Sequence, residues 1–137
     1  MLRRDYILRM MEEFSRAMSV ALGLIKAGRS DDALKMIREN RKEYFPENDL
    51  TDAQLLPEEF AALLHEKYDF GFEKLQALAH SFDLEAQACG DSEQLYALLL
   101  YRKALALYKL CEQLDTTAFS LPRRQAIARI ESLLLDK

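Results

Sequence analysis

Proline and glycine are scarce in this chain of 137 residues, three and four respectively, and a fold of many short strands joined by tight turns would need more of both. The glycines, at 23, 28, 71 and 90, are isolated from one another. They supply no glycine-rich loop to cradle a phosphate, which argues against P-loop and dinucleotide-binding chemistry. Only two cysteines occur, Cys89 and Cys111, and with neither a disulfide framework nor a paired metal-ligand spacing the expected compartment is a reducing cytoplasm. His65-Glu66 opens like a zinc-protease helix motif, but Asp69 stands where the second histidine belongs. No uncharged apolar run approaches the ~18 residues of a membrane span. The start, Met1 to Tyr6, runs into Arg9, Glu12 and Glu13 before any long apolar stretch, so a secretory signal is not expected.

What is abundant is helix-forming: Leu, Ala, Glu, Lys, Arg and Gln dominate. Charged residues make up 31% with a formal net charge of -4, a mixed and mildly acidic surface that argues against a nucleic-acid backbone as the main ligand. A single domain spanning residues 1–137 is expected, and a chain of this size can bury roughly 68–70% of its unfolded surface without a staple.

In the first helical stretch the polar residues Arg9, Glu12, Glu13, Arg16, Ser19, Gly23 and Lys26 advance by three or four and form one narrow stripe. The remaining faces are apolar, so this helix needs covering from more than one direction, by its own chain or by a second subunit. Gly28 offers a left-handed closure. Ser30 is the expected cap of a second helix, about Asp31 to Tyr44, with Asp31 and Asp32 complementing its dipole. Pro46 stops it. Thr51-Asp52 can cap a short turn, and Pro57-Glu58-Glu59 starts a helix carrying Phe60, Leu63 and Leu64. After an interruption near Lys67 to Gly71, a long helix is expected from about Phe70 to Ala88 and ends at Gly90. Ser92 is the expected cap of the next, reaching about Leu114. Ser120 caps a final helix with Pro122 in its first turn. No segment of strand length alternates with period two, so the fold class is all-α, five or six helices in antiparallel hairpins.

The segment from Phe14 to Pro46 resembles one tetratricopeptide repeat, with Ala21 and Ala33 at the small contact positions, Gly28 at the turn and Pro46 at the end. Ala17 and Ser30 replace the family's aromatics. Leu75 to Leu110 is a second half-match, with Gly90 at the turn and Tyr101-Arg102-Lys103-Ala104-Leu105 in its second helix, but the two turns lie 62 residues apart rather than about 34. The opening Leu2 to Phe14 is also similar to the start shared by a family of short bacterial proteins related to these repeats. The resemblance implies a right-handed helical array that holds partners and performs no chemistry, and whose first helices line a concave groove. The matching groove positions are Ser15, Met18, Leu22, Ile25 and Lys26.

Other candidates have simpler readings. Cys89 fills a helix end and Cys111 a helix seam, since linear spacing places no cation beside either to form thiolate. Glu12-Glu13 and Glu58-Glu59 diverge around a helix and read as solvated surface. Met10, Met11, Met18 and Met36 could form an adaptable binding face, but suit a core better. Arg123, Arg124 and Arg129 superficially match a DNA-reading helix, although Glu131 and Asp136 share that helix. The expected protein is a non-enzymatic interaction module or adaptor of the bacterial cytoplasm, with a protein or peptide partner and no nucleic acid, membrane, metal or cofactor. The alternatives are a homo-oligomeric helical protein, such as a homodimer, and a small-molecule-binding helical bundle.

Overall fold

The structure is a computed structural model that describes residues 2–47, 55–116 and 120–136. Among these residues there is no strand, and the α-helices run in the order α1 (Leu2–Lys26), α2 (Ser30–Tyr44), α3 (Pro57–Glu66), α4 (Phe72–Cys89), α5 (Gln94–Leu114) and α6 (Leu121–Leu135), with a 3-10 turn at Gly90–Glu93 between α4 and α5. Thr51-Asp52 and Thr117 to Phe119, named above as a cap and part of a connection, lie outside the described residues.

Local chemistry sets most of the boundaries. At the end of α1 the amide of Arg29 donates to the carbonyl of Leu24 at 2.8 Å and that of Gly28 to Ile25 at 3.1 Å, a Schellman closure with Gly28 at φ +79°. The expected cap Ser30 is instead the first helical residue. Arg29 holds the cap position without a side-chain bond to the backbone, its guanidinium reaching Asp32 at 2.9 Å. Pro57 sits in the first turn of α3, where its missing N–H costs nothing. Between α3 and α4, Asp69 turns the chain at φ +60° and the amide of Phe70 donates back to Leu64. That geometry delays α4 to Phe72, two residues later than expected. Ser92 is likewise not a cap: its hydroxyl donates to the carbonyl of Cys89 within the 3-10 turn, and α5 begins only at Gln94. Ser120 does cap α6, accepting from the amide of Arg123 at 3.4 Å.

Successive long helices form antiparallel hairpins. Phe14 of α1 meets Tyr44 and Phe45 at the end of α2, with ring centroids 5.7 and 5.0 Å apart. Cys111 near the end of α5 donates to the carbonyl of Phe72 at the start of α4. Lys109 of α5 pairs with Glu131 of α6 at 3.0 Å, and Arg123 with Glu112 at 2.5 Å. Other side-chain pairs set the relative direction of α1, α4 and α6. Arg4 reaches Glu73 at 2.7 Å, Arg123 reaches Gln76 at 2.7 Å, and Arg129 pairs with Asp83 further along. Therefore α1, α4 and α6 run in the same direction.

Helix α4 is the centre of the molecule, packed against α1, α2, α3 and α5 and buried around most of its circumference from Leu78 to Cys89. Phe14, Phe45, Phe60, Phe70 and Phe82 are almost wholly out of water. Each contributes about 1.5–3 kcal/mol by burial, with edge-on contacts such as Phe60 to Phe82 at 6.0 Å. Ala21 and Ala33 are fully buried, so small residues stand where α1 and α2 pack. The outer strip of α1 is not covered: Val20 and Tyr6 remain 54% and 60% exposed. Met11 and Met18 lie in the core with Met10 half-buried against it.

Candidate functional site

Because α1 and α6 both lean on the central layer without packing closely on each other, a cleft of about 1010 Å³ opens between them. One wall is α1, through Leu8, Met11, Glu12, Ser15 and Met18, positions spaced by three or four that share a helix face. The floor is α4, through Phe72, Gln76, Ala77, His80 and Asp83. The other wall is α6, through Pro122, Arg123, Ala126 and Arg129. The surface of the cleft is mostly apolar, although about half of the residues that line it are polar or charged; an apolar surface with converging polar groups is the composition of a recognition site.

Its charges are largely spent on holding the walls in place. The side chain of Arg123 is 2% exposed and fully engaged: Nε donates to Glu112 at 2.5 Å, Nη1 to Gln76 at 2.7 Å and Nη2 to Asp115 at 3.2 Å. Arg124 joins Glu112 at 3.0 Å from outside. The two guanidinium groups hold the Glu112 carboxyl below its usual range. Arg129 pairs with the buried carboxylate of Asp83, which also accepts from Gln87 at 3.2 Å. All three arginines singled out in the sequence are thus bonded to acids of their own chain, and a structural role accounts for them without a nucleic-acid phosphate.

His80 and Tyr108, which line the cleft, are pushed towards their neutral forms. Burial lowers the pKa of His80, opposed by Asp83 and reinforced by Arg129. Burial, with Asp83 nearby, raises the phenol of Tyr108 and, to a smaller extent, that of Tyr101. Burial also raises the Cys111 thiol to about 12 and the Cys89 thiol to about 11, so neither is a thiolate near neutral pH. Among the described residues no three His, Cys, Asp or Glu side chains cluster to hold a metal ion. His65 is occupied locally, with Nδ1 2.8 Å from the carbonyl of Phe70.

The expected contact face is divided by the fold. Ser15 and Met18 line the cleft, Ser15 at the rim and Met18 fully buried behind it. Leu22 and Ile25 lie half-buried against the core, and Lys26 is exposed in the last turn of α1; none of these three lines the cleft. The lining from α4 and α6 was absent from that expectation. His80 and Asp83 lie three residues apart on α4, but nothing local in the sequence says that Arg129 of α6 shares their site.

A second polar cluster lies on the far side of α4. Glu85, with no exposed side-chain surface, accepts from Arg41 Nη1 at 2.6 Å and Arg38 Nε at 2.9 Å and from the hydroxyl of Tyr96 at 2.9 Å. Arg41 lies 4.4 Å above the ring of Phe82, and Lys103 5.3 Å from that of Phe60. These groups bind α2, α4 and α5 together.

Protein-family models, curated proteins and solved structures give no match to this chain.

Proposed function

We propose that this chain is a non-enzymatic interaction module built on the plan of tetratricopeptide hairpins, and that the α1–α6 cleft is where it docks a protein partner. One observation carries the reading: α1, α4 and α6 run in the same direction and line one cleft of about 1010 Å³, while the ionisable groups at its floor are paired within the chain or held neutral. Binding energy would come from the apolar anchors Met11, Ala77 and Ala126, and specificity from the rim.

Ala126→Trp tests this by filling the cleft from the α6 wall. Affinity capture from the native cell should recover a partner with the wild-type chain and lose it with the variant, at an unchanged melting temperature. Equal capture by both would remove the cleft from the interaction.

A homo-oligomeric helical protein is the second reading, supported by Leu95 and Leu99 at the start of α5, which stay 85% and 42% exposed. An exposed apolar strip of that kind suits self-association. Light scattering separates the two: a concentration-independent dimer abolished by Leu95→Lys favours self-association.

A further inference from the structure

The walls of the cleft differ from its floor in charge. At the floor Asp83 is paired with Arg129 and Glu73 with Arg4, and at the base of the α6 wall Arg123 is spent on Glu112 and Asp115. On the α1 wall, Glu12 is exposed and has no ionic or hydrogen-bonded partner among the described residues. On the α6 wall, Arg129 keeps 43% of its side chain exposed, and Asp83 takes only its Nη2. The Glu12 carboxylate and the edge of the Arg129 guanidinium that Asp83 leaves unbonded therefore stand on opposite walls of the cleft.

The cleft also has a length. From Phe72 to Asp83 the floor spans eleven helical steps, about 16 Å or three turns at 1.5 Å per residue. A helix that long and about 10 Å across fills about 1,300 Å³, against a cleft of about 1010 Å³. Most of its cross-section would be seated, with one face left to water. An extended peptide would bring unpaired amides and carbonyls to this apolar lining, whereas a helix satisfies its own backbone.

We infer that the cleft takes a three-turn amphipathic helix from a protein partner, with Lys or Arg on the flank facing Glu12 and Asp or Glu on the flank facing Arg129. This rests on the docking reading above and adds the partner's form and charge pattern. Reversing the helix in the cleft exchanges its flanks, so the two rims also fix its direction.

Four synthetic peptides of about 14 residues, sharing one Leu/Met strip, test it by fluorescence anisotropy at low salt. The first has one basic and one acidic flank, the second two basic flanks, the third two acidic flanks, and the fourth is the first with a central proline. The split-charge peptide should bind tighter than either uniform peptide by about threefold, an advantage that shrinks at high salt. Glu12→Lys, at a rim position with no contact to break, should move the preference to the peptide with two acidic flanks. The proline peptide should lose binding. Equal affinities unaltered by Glu12→Lys would overturn the charge pattern and leave the docking cleft standing, and undiminished binding of the proline peptide would overturn the helical form. If no peptide binds while Ala126→Trp still abolishes capture of a cellular partner, the helical partner is wrong but the cleft is not. If neither effect is seen, both fall.

Discussion

Arg41 Nη1 and Glu85 Oε1 lie 2.6 Å apart although 44 residues separate them in sequence, and the two side chains are 9% and 0% exposed. The pair joins α2 to α4 where the two hairpins meet, with Arg41 also donating to Ser81 at 3.2 Å. Removing one charge from a buried pair leaves the other without compensation, typically a loss of 3–5 kcal/mol, whereas replacing both with well-packed apolar groups is often neutral. Glu85→Gln should therefore destabilise the fold by about 3 kcal/mol, because Arg41 and Arg38 both lose the buried carboxylate that bonds them. Arg41→Met/Glu85→Leu should recover most of that loss. Urea unfolding of the three proteins checks it: a double variant no better than Glu85→Gln would show that specific packing, not charge, is at stake.

That pair also marks the limit of what the sequence discloses. The helices are legible because their signals are local: Gly28 closes α1, Pro57 opens α3, and apolar residues recur at helical spacing through α4 and α5. Local signals fail at Ser92 and Phe70 because competing turns, the 3-10 segment at Gly90 and the positive φ of Asp69, take the chain first. The cleft is less legible still. Its α6 wall is fixed by Arg123 to Gln76 and Arg129 to Asp83, pairings across 47 and 46 residues, and no periodicity reveals which arginine finds which partner. Of the positions that the repeat resemblance implies for a contact face, Ser15 and Met18 line the cleft, while Leu22 and Ile25 lie half-buried against the core.

His80 gives the fold an acid sensitivity with a definite direction. Its pKa is lowered in the folded chain by burial, against Asp83 and with Arg129, so between that value and the ordinary ~6.5 the unfolded chain binds more protons. Stability is fully present above about pH 6.5 and declines as pH falls through the lowered value. The melting temperature should drop from pH 7.5 to 5.5, and His80→Asn should flatten that drop. An equal drop in the variant would assign the effect elsewhere.

Cys89 and Cys111 should resist thiol reagents in the folded state. Both are buried and raised to about 11 and about 12, so burial and a negligible thiolate fraction act together. A disulfide-exchange reagent at pH 7.5 should titrate no thiol within minutes in buffer and two in denaturing urea. A fast native thiol would restore a reactive role to that cysteine.

Ala33 sits fully buried in the first hairpin, at a position the repeat resemblance reserves for a small residue. Leucine there adds volume to a filled seam, and overpacking of this kind costs about 1–3 kcal/mol. Ala33→Leu should lower the unfolding midpoint accordingly. A neutral result would mean that α1 and α2 cross elsewhere.

Arg123 is the residue on which the α6 wall depends. Its buried guanidinium bonds α4 through Gln76 and both the end of α5 and the residue beyond it through Glu112 and Asp115, and α6 otherwise buries little beyond Ile130. Arg123→Met keeps the apolar stem but removes three hydrogen bonds, two of them to carboxylates, and losing hydrogen bonds to charged groups costs about 1.5–3 kcal/mol each. The loss should be local, because the core around α4 does not need α6. Amide exchange in residues 121–135 should therefore accelerate strongly while α4 and α5 stay protected, and binding at the cleft should weaken with it. Uniform acceleration across the chain would show instead that α6 unfolds only with the whole domain, and that Arg123 supports the core as well as the wall.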